Sequence, residues 1–91
     1  MKSYYVFILK CEDGTYFTGF TSNLELQLEA HQSGTRKDLA TYGRGAVSLV
    51  FQTKFNIAAM ALEAKKQIKR WSSTKKEALI NGEFEKLSSL T

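Results

Sequence analysis

The chain has 91 residues, of which 43% are hydrophobic and 24% charged, and its net charge is +4, as expected for a single globular domain over residues 1–91. No apolar run approaches the ~20 residues of a membrane span, and no secretory signal pattern precedes the first strand-like run. A single cysteine, Cys11, excludes an intrachain disulfide, so we expect a cytoplasmic protein with a reduced thiol.

A β-hairpin is predicted at the start of the chain. The run from Tyr4 to Cys11 is rich in β-branched and aromatic residues. Asp13-Gly14 is a strong hairpin dipeptide, and a second β-rich run, Thr15–Thr21, follows it. Gly19 interrupts this second run, where a glycine marks either a bulge or the close approach of another group.

A short helix is predicted next, from about Asn23 to Gln32. Ser22 and Glu25 have the spacing of a capping box, in which the Ser22 hydroxyl accepts from the amide of Glu25 and the Glu25 side chain reaches back. Ser33-Gly34 ends this helix. Residues 34–46 are polar and contain glycine, which predicts a loop.

A third strand and a long helix follow the loop. The strand is predicted over Val47–Lys54, and Asn56 is placed to cap a helix from Ile57 to about Trp71. Apolar residues at a 4-3-4-3 spacing give this helix one buried face. They are Ile57, Ala61, Ala64, Ile68 and Trp71.

The chain is predicted to end in helices. One begins at Ser73 or Thr74 and ends at Ile80, because Asn81-Gly82 follows as a stop signal. Residues 83–90 form a short terminal helix. The order β-β-α-β-α-α indicates an α+β domain with a three-stranded antiparallel sheet flanked by helices.

The positive charge is concentrated in the second half of the chain. Residues 1–48 hold five basic and five acidic groups, whereas residues 49–91 hold eight basic and four acidic ones. Six of those eight basic groups lie between Lys65 and Lys76. A clustered basic stripe fits a polyanionic partner, although the ordinary interpretation of such a stripe is a solvated helix face.

Generic site patterns are weak in this sequence. One histidine, one cysteine and scattered carboxylates do not form a set of metal ligands, so we expect no metal site. No glycine-rich loop of the phosphate-binding type is present. A nucleophilic pair of Cys11 and His31 is formally possible, but nothing in the sequence places an activating base beside Cys11.

Several short segments, taken together in chain order, resemble a known family. No single segment is specific enough to show this resemblance by itself. They are Tyr5-Val6-Phe7, Phe17-Thr18-Gly19, His31-Gln32-Ser33-Gly34, the run from Gln67 to Ser72 and the run from Lys75 to Ile80. Over about residues 3–85 the chain resembles the GIY-YIG nuclease superfamily. More closely, it resembles the small stand-alone bacterial branch that is related to the nuclease domain of the excision-repair incision subunit.

The resemblance implies phosphodiester hydrolysis. In that family one tyrosine lies on the first strand and another on the second, and one of them helps to activate water. An arginine of the first helix stabilises the phosphate. A glutamate of the second long helix binds a divalent metal, usually magnesium, which neutralises developing charge.

At four positions the chain departs from that family pattern. The tyrosine positions hold Phe7 and Phe17, which have no hydroxyl to exchange a proton. The arginine position holds Gln27, which supplies no charge. The metal-glutamate position holds Lys65, whose ammonium does not ligate magnesium. The family-equivalent positions are, in full, Phe7, Phe17, Gly19, Gln27, His31 and Lys65.

Neighbouring side chains offer little replacement for the missing groups. Glu63 lies two residues before Lys65, which places it nearly on the opposite side of the helix. Tyr16 neighbours Phe17 and so lies on the other face of its strand, whereas Tyr5 shares the face of Phe7. Tyr5 is therefore the least implausible substitute for the missing base.

Ordinary structural roles compete with functional ones at each position. The ordinary role for Phe7 and Phe17 is that of aromatic residues in the core or in the lining of a cleft. The functional alternative is a platform on which a base stacks, which requires an exposed ring face. Gln27 fits a polar residue at a cleft edge. His31, at a helix C-terminus, is stabilised by the helix dipole without any further function. Trp71 fits a core anchor.

Three functional hypotheses remain open. The first is a GIY-YIG-like domain that has lost catalysis and binds nucleic acid, DNA foremost, with no cofactor and no membrane partner. Its predicted nucleic-acid contacts are Arg36, Lys37, Tyr42, Arg44, Lys65, Lys66, Lys69, Arg70, Lys75 and Lys76. The second is a weak magnesium-dependent endonuclease with rearranged residues such as Tyr5 and His31. The third is a protein-interaction module.

Overall fold

Three strands and three helices make up the fold in the computed structural model, which describes residues 2–83. In chain order they are β1 (Tyr4–Cys11), β2 (Tyr16–Thr21), α1 (Leu24–Gln32), β3 (Val47–Phe55), α2 (Ala58–Arg70) and α3 (Ser73–Ile80). The sheet is antiparallel with the strand order β2-β1-β3, which confirms the predicted α+β architecture. The helix predicted over 83–90 lies, beyond Glu83, outside the described residues.

β1 is the central strand, and both of its faces are covered. Val6 and Ile8 face one side and belong to the same buried cluster as Ala61 and Ile68 of α2. Phe7 and Leu9 face the other side, and they are buried as completely. This double burial explains why β1 is a continuous apolar run rather than an alternating one. No helix within residues 2–83 has the length and apolarity needed to cross a membrane.

A β-bulge interrupts the pairing of β1 with β3. Ile8 pairs with Phe51, whereas its neighbour Leu9 pairs with Leu49, so Val50 is the extra residue on β3. A bulge bends an edge strand and makes it a poorer template for pairing with another chain.

Gly19 marks a close approach and not a bulge. The register between β1 and β2 is continuous through the pair Phe7–Gly19. A Cβ atom at Gly19 would lie 2.3 Å from Cζ of Phe7 and 2.9 Å from Cε2 of Phe17. Glycine is required here because two phenyl rings occupy the space of a side chain.

Two helix N-termini differ from the sequence prediction. α1 is capped by Asn23, whose Oδ1 accepts from the amide of Leu26 at 3.1 Å, and not by Ser22 of the predicted capping box. α2 has Ile57 at its N-cap, with no side-chain bond, so the predicted cap by Asn56 is wrong. Ile57 is 56% exposed. It therefore does not belong to the buried stripe, since it lies outside the helix proper.

The end of α3 matches its sequence signal. Ser72 caps the N-terminus by accepting from the amide of Lys75 at 3.2 Å. At the other end Gly82 has φ 72° and donates to the carbonyl of Leu79, while the amide of Glu83 donates to the carbonyl of Ala78. This pair of bonds is a Schellman motif, in which glycine supplies the left-handed residue.

Two contacts fix the long loop over residues 33–46 to the rest of the fold. Its Thr41 is buried, and Thr41 Oγ1 lies 2.8 Å from Nδ1 of the buried His31. Burial lowers the pKa of His31, and the positive charge of Arg36 lowers it further. The far end of the loop is joined to the first hairpin, where the amide of Glu12 donates to the carbonyl of Ala46 at 2.8 Å.

Thr18→Val is expected to stabilise the protein. Thr18 is 4% exposed, and within residues 2–83 its hydroxyl has no hydrogen-bond partner. Removing such a group gains about 1 kcal/mol in the free energy of unfolding. Thr21→Val is the matched control on the same strand, because Thr21 Oγ1 accepts from the amide of Asn23 at 3.0 Å. Urea denaturation should show opposite signs for the two variants, and a loss of stability in Thr18→Val would contradict the assignment.

Stability is expected to depend on pH through His31, the only histidine. Its pKa in the folded protein lies below the ordinary value, so the unfolded chain takes up a proton first as the pH falls. The stabilising contribution is complete above about pH 6.5 and is lost below it, down to the folded pKa. Thermal unfolding of wild type and His31→Asn between neutral and mildly acidic pH measures this difference. If the variant does not fold, proton NMR titration of the ring reports the same pKa, and a value above 6.5 would refute the expectation.

Candidate functional site

Three of the family-equivalent side chains form one aromatic cluster on the face of the sheet opposite α2. Phe17 and His31 have ring centroids 4.8 Å apart, and Phe7 lies 6.2 Å from Phe17 and 6.4 Å from His31. β1 and β2 present the two phenyl rings, and the last turn of α1 brings the imidazole onto them. The structure thus brings these three positions together, whereas their assignment to a functional site stays a prediction.

The chemistry available in this cluster is limited. Phe7 is 1% exposed, so it has no free face on which a base could stack. Neither phenyl ring has a hydroxyl. Burial lowers the pKa of His31 and so favours its neutral form, and its Nδ1 lies 2.8 Å from Thr41 Oγ1. The cluster therefore packs the loop against the sheet and offers no proton donor or acceptor beyond one partly engaged imidazole.

Gln27 and Lys65, the other two substituted positions, are both half-buried. Neither side chain has a hydrogen bond or an ion pair with another group of residues 2–83. Gln27 lies on α1 and Lys65 lies on α2, as predicted. The two helices thus present a neutral amide and an ammonium at the positions that the sequence analysis assigned to the family's arginine and metal-binding carboxylate.

The residues present do not fit a magnesium ion. Within residues 2–83 no group of three histidine, cysteine, aspartate or glutamate side chains is close enough to hold a metal. Glu63, the nearest carboxylate in sequence, is exposed, and its Oε1 accepts from Nε2 of Gln67 at 3.2 Å. Hard divalent cations need several oxygen ligands. No step of a metal-assisted reaction can be derived from this arrangement.

The tyrosines considered as replacements lie away from the cluster. Tyr16 lies on the opposite face of the sheet, as predicted, and its hydroxyl donates to Oε1 of Glu77 at 3.2 Å. Burial raises the pKa of Tyr16, and the bond to Glu77 raises it further. Tyr5 shares the face of Phe7 but lines a separate cleft with Leu24 and Gln52. Neither phenol contacts His31.

Cys11 does not form a catalytic pair with His31. Its thiol is buried, and Nδ1 of His31 lies 2.8 Å from Thr41 Oγ1. Cys11 instead lines a small cleft of about 270 Å³ together with Phe17 and Arg44.

The basic residues of the loop are largely neutralised. Arg36 forms a two-pronged ion pair with Asp38, with its shortest N–O distance at 2.7 Å, and this bond lowers the pKa of Asp38. Arg44 lies 3.2 Å from Asp13. The remaining predicted loop contacts, Lys37 and Tyr42, are exposed.

The basic residues of α2 and α3 are not neutralised in this way. Within residues 2–83 none of the six forms a salt bridge; they are Lys65, Lys66, Lys69, Arg70, Lys75 and Lys76. The two carboxylates of these helices are engaged elsewhere, Glu63 with Gln67 and Glu77 with Tyr16. We call these six residues the cationic surface.

Contacts within the cationic surface are between cations or with an aromatic ring. The Lys75 ammonium lies 4.3 Å from the centre of the Trp71 ring, a favourable cation–π distance. Trp71 is half-buried and packs against the core, as predicted. Partial burial lowers the pKa of Lys76, and the neighbouring charge of Lys69 lowers it further.

Two features of this region were not predicted. Thr41, the partner of His31, lies in a loop whose conformation follows from tertiary contacts. The cleft beside Tyr5 is formed where Leu24 and Leu28 of α1 meet Leu49 of β3. The i, i+4 spacing of the two leucines was visible in the sequence, but the residues they face were not.

Comparison with known proteins places this geometry in a family. Residues 3–78 match the GIY-YIG catalytic domain. A UPF0213 protein of Natronomonas pharaonis is 36% identical over 80 residues, which cover 88% of this chain and 93% of the relative. A UPF0213 protein of Halalkalibacterium halodurans is 33% identical over 92 residues, which cover 98% and 97%.

Solved structures agree with the sequence comparisons. The solution NMR structure of a UPF0213 protein from Bacillus halodurans superposes with a TM-score of 0.57 at 34% identity, covering 87% of this chain and 83% of that one. A solution NMR structure of a protein from E. faecalis has a TM-score of 0.63 at 30% identity, with coverages of 90% and 86%. The chain belongs to the GIY-YIG domain family and, within it, to the small stand-alone UPF0213 proteins.

Proposed function

We propose that this protein is a GIY-YIG domain that binds nucleic acid, DNA foremost, and does not hydrolyse it. The observation that carries the proposal is the cationic surface, whose six positive charges have no anionic partner within residues 2–83. A phosphate backbone is the polyanion that such a surface suits, because binding releases condensed counterions.

The like-charged pairs on α2 lower the stability of the protein when no partner is bound. Lys65 with Lys69, and Lys66 with Arg70, are like-charged pairs at i, i+4 on α2, and such pairs destabilise a helix slightly. Burial is the main cause of the lowered pKa of Lys76, and the nearby positive charge of Lys69 adds to it. The loop cations, by contrast, are paired with carboxylates. An external anion would relieve the repulsion on the helices more than it would on the loop.

Loss of hydrolysis is supported by the side chains at the four substituted positions. Phosphodiester cleavage by a kit of base, cation and Lewis acid needs all three parts. Phe7 and Phe17 supply no base, Gln27 supplies no charge, and Lys65 would repel magnesium. The basic side chain of Lys65 is instead suited to contact a phosphate directly.

The two alternative functions have weaker support. A rearranged nuclease would need Tyr5 and His31 together, but Tyr5 lines a different cleft and Nδ1 of His31 is bonded to Thr41. A protein-interaction role draws on Ile57 and Met60, which are each 56% exposed and lie close to one helical turn apart. That patch is small beside the cationic surface.

Neutralising two residues of the cationic surface is expected to weaken DNA binding. In the variant Lys65→Met/Lys69→Met we expect affinity for a short DNA duplex at low salt to fall at least about tenfold, with the slope of log K against log salt reduced by about 2. Fluorescence anisotropy over a salt series measures both quantities. The fold should be retained, because removing a like-charged pair does not weaken α2.

Lys2→Met/Lys54→Met is the matched control, since it removes the same charge from exposed positions outside the cationic surface. Equal losses in both double variants would indicate a non-specific effect of net charge. No measurable binding of wild type at low salt would overturn the proposal and favour the protein-interaction role.

Magnesium is expected to leave the protein unchanged. Amide resonances around Lys65 should not move in millimolar magnesium, and supercoiled plasmid DNA should stay intact over long incubation. Cleavage that requires magnesium would refute the loss of hydrolysis. In that event Tyr5→Phe, which removes only a hydroxyl, tests whether the displaced phenol is the base.

A further inference from the structure

A second cleft lies on the same face of the sheet as the aromatic cluster. It has a volume of about 430 Å³, within the range of roughly 300–1,000 Å³ that small-molecule sites occupy. Leu24 and Leu28 of α1 and Leu49 of β3 supply its apolar lining, and Tyr5 of β1 completes it. The cleft thus has both space and apolar surface for a flat ligand.

The polar groups of this cleft are uncommitted. Ser22, Glu25 and Gln52 line it. Within residues 2–83 their side chains, and the hydroxyl of Tyr5, form no hydrogen bond or ion pair with other protein groups. Asn23 differs, because its Oδ1 caps α1. Ser22, Glu25 and Gln52 are exposed to solvent. Together with the half-buried Tyr5 they give the cleft an apolar floor with a few polar side chains, which is the composition of a small-molecule site.

The charge of the cleft selects the kind of ligand. Among residues 2–83, Glu25 is the only charged residue that lines it, and none of the cations does. An ionised carboxylate accepts hydrogen bonds and donates none, whereas the glutamine amide does both. The cleft therefore disfavours a phosphate or carboxylate and favours a neutral planar ligand with an amino group.

We infer that the cleft beside Tyr5 binds a nucleobase with an exocyclic amine. The Tyr5 ring supplies a stacking surface, Glu25 accepts from the amine, and the Gln52 amide pairs with the adjoining ring nitrogen in the way that such amides read adenine. The inference rests on this cleft alone and not on the cationic surface. It therefore stands or fails separately from the proposed function.

The same base chemistry has two sources, a free nucleoside or an unpaired base in a strand. In either case any phosphate lies outside the cleft, because no cation lines it.

The test is a titration of the full chain with adenosine, which carries no phosphate, monitored by amide chemical shifts. We expect shifts at Tyr5, Glu25 and Gln52 and none on α2 or α3. Glu25→Gln should weaken binding by about tenfold, since a charge-assisted hydrogen bond is lost. Glu29→Gln, the same change of charge one turn further along α1, should bind as wild type does.

Ligand variants complete the test. Purine riboside lacks the amine of adenosine, so wild type should prefer adenosine, and Glu25→Gln, whose amide oxygen is an uncharged and weaker acceptor, should show a smaller preference. Shifts at the cleft with adenosine assign it to a free nucleoside. Shifts only with a short oligoadenylate, and not with an abasic strand of equal length, assign it to a strand-borne base. If neither ligand moves the cleft amides, or if Glu29→Gln weakens binding as much as Glu25→Gln, the inference is wrong.

Discussion

The fold depends on one constraint, the burial of β1 on both of its faces. A central strand with apolar side chains on both faces needs another element packed on each face. Different elements of this chain pack on the two faces. α2 and α3 cover the face of Val6 and Ile8, while α1 and the loop over residues 33–46 cover the face of Phe7 and Leu9. The basic residues of α2 and α3 thereby lie on helices that cover one face of the sheet, while Phe7 and Phe17 lie on its other face.

Because different elements cover the two faces of the sheet, the protein has three distinct regions. The aromatic cluster is packed and chemically inert apart from one imidazole. The cleft beside Tyr5 is open and carries free polar groups. The cationic surface is charged and unpaired. Phenylalanine at positions 7 and 17 favours tight packing of the aromatic cluster, because phenyl rings pack against Gly19 without a polar atom that needs a partner.

Much of the fold could be predicted from local signals, and the failures have physical reasons. The strand bounds of β1, the close approach at Gly19 and the glycine stop after α3 all follow from residue types that act locally. Caps were less predictable, because Ser22 and Asn23 are both good capping residues and tertiary packing decides between them. The family pattern allowed the candidate positions to be assigned to strands and helices, but it did not predict their contacts. Thr41 and the ion pairs of Arg36 and Arg44 depend on how the loop returns to the sheet.

The packing of Phe7 over Gly19 has an evolutionary consequence. A tyrosine at this position, as in the family motif, would place a phenol hydroxyl where the side chain is 1% exposed and where the neighbouring rings offer no acceptor apart from His31. A buried hydroxyl without a partner is destabilising. A single Phe7→Tyr change would therefore be penalised unless the surrounding rings and loop changed with it. Tight packing of the closed cluster thus favours retention of phenylalanine at this position.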